Sequence, residues 1–253
     1  MSTIPSLGSI IVTGGSRGIG AAVALRVAAQ GHPVAVNYAR AAAAAQRVVA
    51  AIVAAGGRAC AIQADVADEQ QVLELFSAAE AQLGPLYGLV NNAGITGRLG
   101  KLVDLPVEEL ARVMAVNVTG SFLCAREAVR RLATDRGGRG GVIVNLSSRA
   151  AKIGGANDWV HYAASKGAID TFTLGLAREV AAAGIRVNAV APGLIDTEIH
   201  ASAGDPERLA RIGPNIPLGR PGSADEVAAA IVWLLSPAAS YVTGAILEVG
   251  GGR

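Results

Sequence analysis

The run Ser9-Ile10-Ile11-Val12 leads into Thr13-Gly14-Gly15-Ser16-Arg17-Gly18-Ile19-Gly20 and then into the Ala-rich stretch Ala21 to Gln30. This order of strand, glycine turn and helix constrains the fold more than any other feature of the chain. Glycines let the backbone approach a pyrophosphate closely, and the free N–H groups of a helix N-terminus attract phosphate. The alternation then continues. Pro33–Val36, Arg58–Gln63, Leu86–Val90, Val142–Leu146, Ile185–Val190 and Thr243–Val249 read as further strands. Helices are expected over Ala41–Ala55, over Glu69–Leu83, from Pro106 through a stripe ending at Leu132, around Tyr162 to about Ala183, and from the capping box Ser223-x-x-Glu226 to Leu235. Strands that alternate with helices require a parallel sheet covered on both faces, an α/β chain.

In such a sheet, ligands bind outside the carboxyl ends of the strands. The residues that arrive there are Gly14, Ser16, Arg17, Gly18, Ile19 and Gly20 after the first strand, Asn37, Tyr38 and Arg40 after the second, and Asp65 and Val66 after the third. Asn91, Ala93 and Gly94 follow the fourth strand, and Ser147 and Ser148 the fifth. Asp65 could reach an adenine amino group or open a turn before the helix that Asp68-Glu69 begins. No Asp or Glu ends the second strand, where an NAD site would hold the ribose 2′-hydroxyl, whereas Arg17 and Arg40 suit a 2′-phosphate. NADP(H) is therefore the expected cofactor, with NAD(H) as the alternative.

A net charge of +2 from 22 basic and 20 acidic side chains leaves no basic stripe for nucleic acid. The N-terminus has no signal-peptide pattern and no apolar run is long enough to cross a membrane. Cys60 and Cys124 lack a disulfide or metal spacing and read as small buried hydrophobes, so a cytoplasmic protein without a metal is expected. No linker divides residues 1–253, so one domain is expected. The proline-broken stretch at about 196–222, including Ile199, His200, Leu209 and Ile212, reads as a lid over the substrate.

Tyr162 and Lys166 are four residues apart in an expected helix and share a face. An ammonium about 4 Å from the phenol is worth roughly 4 kcal/mol at an effective dielectric near 20, which would bring the tyrosine from about 10 to roughly 7. Trp159 and His161 read as packing residues, and Asn117 as either a local backbone partner or a chemical group.

Together, Thr13-Gly14-x-x-x-Gly18-x-Gly20, Asn91-Asn92-Ala93-Gly94, Asn117, Ser148, Tyr162-x-x-x-Lys166 and Pro192-Gly193 resemble the short-chain dehydrogenase/reductase family along essentially the whole chain. The resemblance implies a three-layer, doubly wound Rossmann fold with a seven-stranded parallel sheet, a nicotinamide cofactor and carbonyl–alcohol interconversion. It implies Tyr162 as general acid, Ser148 polarising the carbonyl, Lys166 lowering the tyrosine pKa and holding the nicotinamide ribose, and Asn117 holding a relay water. Pro192, Gly193, Ile195 and Thr197 would anchor the carboxamide. Ser148 is preferred to Ser147, which the strand period of two turns to the other side. Its separation of fourteen from Tyr162 is one residue longer than expected, which places the extra residue in the loop Gly154–Trp159. The substrate expected is a small carbonyl or alcohol compound, with a 3-oxoacyl carrier-protein thioester or a sugar as alternatives. A catalytically idle dinucleotide-binding or scaffold protein of the same fold remains the other class. A homotetramer is implied, with Gly175, Ala177 and Ala181 small enough for close helix pairing.

Overall fold

A computed structural model describes residues 7–198 and 204–253; Ile199 and His200 of the expected lid lie outside them. β1 (Ser9–Val12), β2 (Val34–Tyr38), β3 (Ala59–Gln63), β4 (Leu86–Asn91), β5 (Gly141–Leu146), β6 (Ile185–Pro192) and β9 (Ile246–Val249) form one sheet in the order β3-β2-β1-β4-β5-β6-β9. Every pairing in it is parallel. The strand order reverses beside β1, which opens a crevice between the ends of β1 and β4. The seven-stranded doubly wound sheet read from the sequence is the one observed.

Two apolar layers flank the sheet because alternate strand residues point to opposite faces. On one face Ile10, Val12, Val144 and Leu146 meet α1 (Gly18–Ala29), α2 (Ala42–Ala54) and α9 (Ala224–Leu235) through Val23, Ile52 and Ile231. On the other, Ile11, Leu89 and Ile143 meet α3 (Glu69–Leu83), α5 (Gly120–Leu132) and α7 (Val160–Val180) through Phe76, Leu132 and Val180. Ser223 and Glu226 form the expected capping box of α9.

Local departures have local causes. The helix opened by Pro106 is α4 (Val107–Met114), and Ala115–Thr119 then widens into a π turn before α5. The expected loop after β5 contains a one-turn helix, α6 (Ala150–Ile153), closed by Gly154 in a left-handed conformation. Thr243 precedes β9 instead of beginning it, since its hydroxyl accepts from Val187 N–H at 3.0 Å. The stretch expected as a lid contains α8 (Arg208–Ile212) and a small pairing of β7 (Ile195–Asp196) with β8 (Gly222–Ser223). Ala177 is buried in the core layer on the α7 face of the sheet, whereas Gly175 and Ala181 are exposed. Cys124 is buried and Cys60 only half-buried, and burial holds their thiols up at about 12 and about 11, far from the reactive range.

Candidate active site

The glycine turn is fastened before any ligand is considered. The Thr13 hydroxyl accepts the Asn92 and Ala93 N–H groups at 3.0 Å each, and the Asn92 side chain donates to the Thr13 and Gly14 carbonyls. Gly14 and Gly18 adopt φ of 60° and 53°, values a side chain would strain. A Cβ at Gly20 would lie 2.5 Å from the Asn92 amide nitrogen, so the third glycine is required for this packing. Arg17, at the N-cap of α1, makes no side-chain cap, and no acidic residue occupies the first turn. The free N–H groups and dipole of α1 therefore remain available to a pyrophosphate, and the cradle fits a dinucleotide.

Several residues expected around that cradle are placed differently. Asn37 is buried, accepting from Gly14 N–H and donating to the Ile62 and Ala64 carbonyls, so it braces the glycine turn from within. Asn91 turns its amide into the sheet, where it donates to the Ser121 carbonyl and to Asn145; its neighbour Asn92, a signal present in the same motif, lines the crevice instead. Asp65 is exposed and accepts from Ala67 N–H in the turn before α3. Val66 is buried beneath Gly120, while Ser16, Ile19, Tyr38 and Ala93 are half-buried. Arg17 and Arg40 are both exposed, and Arg17 lies 3.3 Å from Glu198.

A cavity of about 340 Å³ lies beside the cradle and brings together Ser148, Tyr162 and Lys166 with Gly94, Pro192 and Thr197. Gly193, Ile195 and Ile19 border it as well. Lys166 is buried and donates to the Leu146 carbonyl at 2.6 Å. Burial brings its ammonium down to about 8, with Asp170 one turn further along the helix opposing the shift. Its nitrogen stands 5.7 Å from the centre of the Tyr162 ring. The expected lowering of the tyrosine is not found. Burial pushes the phenol above its ordinary value of 10, and the Ser148 hydroxyl offsets only part of that. Burial of the phenol, which disfavours its charged form, is the largest cause of the shift.

Ser147 borders the cavity as well, but its hydroxyl is turned back toward α7, 3.4 Å from the Lys166 carbonyl. Asn117 sits fully buried in the π turn. Its amide nitrogen donates to the Ile95 carbonyl and the Ser165 hydroxyl, and its oxygen accepts from Ile95 N–H at 2.8 Å. The side chain thus ties the loop after β4 to the helix that carries Tyr162. A Cβ at Gly94 would lie 3.3 Å from the Asn117 oxygen and 3.5 Å from the Lys166 nitrogen, so this glycine keeps the space between them open. His161 is buried beside Gly97 and packs as expected. Thr13 and Ser165, to which the motifs give no role, also carry bonds of the site. Arg208, which also borders the cavity, gave no sequence signal.

The family model described as enoyl-(acyl carrier protein) reductase matches residues 14–253. The oxidoreductase YgfF of Escherichia coli is 55% identical over 243 residues, which cover 96% of this chain and 98% of that protein. A short-chain dehydrogenase of Burkholderia cenocepacia, solved in complex with NADP, superposes with a TM-score of 0.88 at 38% identity over 97% of each chain. The chain belongs to the short-chain dehydrogenase/reductase family. This short-chain dehydrogenase/reductase is also 44% identical to 3beta-hydroxysteroid dehydrogenase 1 of Eggerthella lenta over 249 residues, 96% of this chain and 92% of that one. It is an oxidoreductase, and no helix among the described residues is long and apolar enough to cross a membrane.

Proposed function

We propose that the protein is an NADP(H)-dependent, cytoplasmic oxidoreductase that interconverts a small free ketone or aldehyde and its alcohol, with Tyr162 as the proton donor in reduction. The observation that carries this reading is the meeting of Ser148, Tyr162 and Lys166 on one cavity beside a glycine cradle that fits a dinucleotide. The cradle would hold a nicotinamide dinucleotide, which when bound would supply hydride to the carbonyl carbon or take it from the alcohol. The Ser148 hydroxyl donates a hydrogen bond to the carbonyl oxygen, and the Tyr162 phenol passes its proton to that oxygen as it becomes an alcohol. A phenol, with an ordinary value near 10, carries its proton at neutral pH and has it to give as hydride reaches the carbonyl carbon. Lys166 keeps a positive charge beside the phenol, and Asn117 positions the loop and helix around it. The exposed guanidinium groups of Arg17 and Arg40, with no carboxylate at the end of β2, support selection of the 2′-phosphate.

The test is an NADPH-oxidation screen over ketones, aldehydes, quinones, sugars and acyl thioesters, with Tyr162→Phe as the blank. The parent is expected to turn over at least one carbonyl class and to prefer NADPH to NADH about tenfold or more in kcat/KM, roughly 1.4 kcal/mol. Tyr162→Phe is expected to bind NADPH, read by quenching of protein fluorescence, without turnover. Retained turnover in that variant overturns the role of Tyr162, and equal kcat/KM for the two cofactors overturns the preference.

A further inference from the structure

We infer that Arg208 is a positioning residue of the substrate pocket, clasping α8 onto the turn that precedes the Tyr162 helix through Asp158 and the face of Trp159. Its kinetic consequence rests on the function proposed above; its geometry does not. Arg208 opens α8 and is almost wholly buried, an unusual place for a guanidinium. Its charge centre lies 4.4 Å over the Trp159 ring, Nη2 donates to Asp158 at 2.8 Å, and Nη1 stands 3.5 Å from Asp205 on its own segment. Asp205 is shared with Arg211, whereas Arg208 is the only cation paired with Asp158 among the described residues.

The turn that receives the arginine is shaped for the contact. Gly154, Gly155 and Asn157 all adopt positive φ, and Asn157 is the only residue other than glycine to do so among those described. Both Asp158 and Trp159 donate their N–H groups to the Gly155 carbonyl, and a Cβ on Gly155 would lie 2.7 Å from the Trp159 carbonyl oxygen. The Asp158 carbonyl accepts from Gly100 N–H, which joins the turn to the loop after β4. Trp159 then meets Tyr162 edge-on, with ring centres 6.5 Å apart, and Asp158, Trp159 and Arg208 border the same cavity as Tyr162. A surface ion pair would hold such a segment weakly. The nearly buried Arg208 guanidinium adds its contact over the Trp159 ring to the ion pair with the part-exposed Asp158, and its removal takes both from the turn.

Trp159 and Trp233 are the only tryptophans, so Trp233→Phe leaves Trp159 as the sole tryptophan emitter. In that background Arg208→Met keeps the reach and removes the charge. It is expected to make Trp159 more accessible to acrylamide quenching and to raise KM about tenfold, with kcat held within about twofold, as when binding common to ground and transition states is lost. Asp158→Asn is expected to act in the same direction, and Asp158→Glu to restore most of the parental KM. If Arg208→Met or Asp158→Asn folds with parental far-ultraviolet dichroism yet leaves both quenching and KM unchanged, the clasp is overturned. If the quenching responds as expected while the parent reduces no carbonyl in the screen, the clasp stands and the proposed function falls.

Discussion

Lys166 is a cation in a place that disfavours charge. Burial lowers its pKa from 10.5 to about 8, so it is still mostly protonated at neutral pH, at a desolvation penalty of about 3 kcal/mol. Between those two values the unfolded chain binds the proton and the folded chain does not, so this group makes stability rise with pH across that window. Below about 8 the penalty is fully present. Lys166→Met removes the charge and leaves the Leu146 carbonyl without its donor, a loss of about 2 kcal/mol. The variant is therefore expected to be about 1 kcal/mol more stable than the parent in urea titrations at pH 7, to lose that advantage by about pH 10, and to be inactive. A variant less stable than the parent at pH 7 overturns this account of Lys166. At this scale the sequence made the pair of Tyr162 and Lys166 visible, because helical spacing alone brings them to one face. It could not give the direction of the tyrosine shift, which depends on how much protein surrounds each group.

Among the elements, the π turn Ala115–Thr119 shows where periodicity stops informing. The apolar stripe running to Leu132 bends at Asn117, and the pattern alone allows either a local backbone partner or a chemical group. In the folded chain the added residue in the turn aims Asn117 at both polar groups of Ile95 and at Ser165. Those partners come from β4's loop and from α7, so no local pattern could announce them. Asn117→Ala orphans the buried Ile95 groups and is expected to lower unfolding free energy by about 3 kcal/mol, with the denaturant slope unchanged. A loss below about 1 kcal/mol would mean that the loop finds other partners. The glycine turn behaved differently. Its strand, glycines and helix are contiguous, and so its form was legible, whereas the inward turn of the Asn37 and Asn91 amides was not, because a strand-end position says nothing of which way an amide turns.

Across the whole molecule, the alternation of strands and helices was enough to give a parallel sheet covered on both faces, whereas the reversal of order beside β1 came only with the family motifs. Association is a separate matter, decided by which helix faces the sheet leaves uncovered. Ala177 packs inward, but Ala164, Thr171 and Gly175 are exposed along α7, and a Cβ on Gly167 or Gly175 would meet nothing within 4 Å. Beside this open face Phe122 of α5 is 47% exposed and stacks on Phe172 at 3.8 Å between ring centres. An apolar pair next to a smooth helix suits close contact with the same helices of another copy, and a homotetramer built partly on this face is the assembly we propose. A buried charge at the centre of such a contact is worth roughly 2 kcal/mol or more at each copy. Phe122→Glu is therefore expected to shift sedimentation equilibrium from tetramer to smaller species without lowering the melting cooperativity of the protomer. A parent protein that sediments as a monomer, or a Phe122→Glu variant that stays tetrameric, rejects this face as the contact.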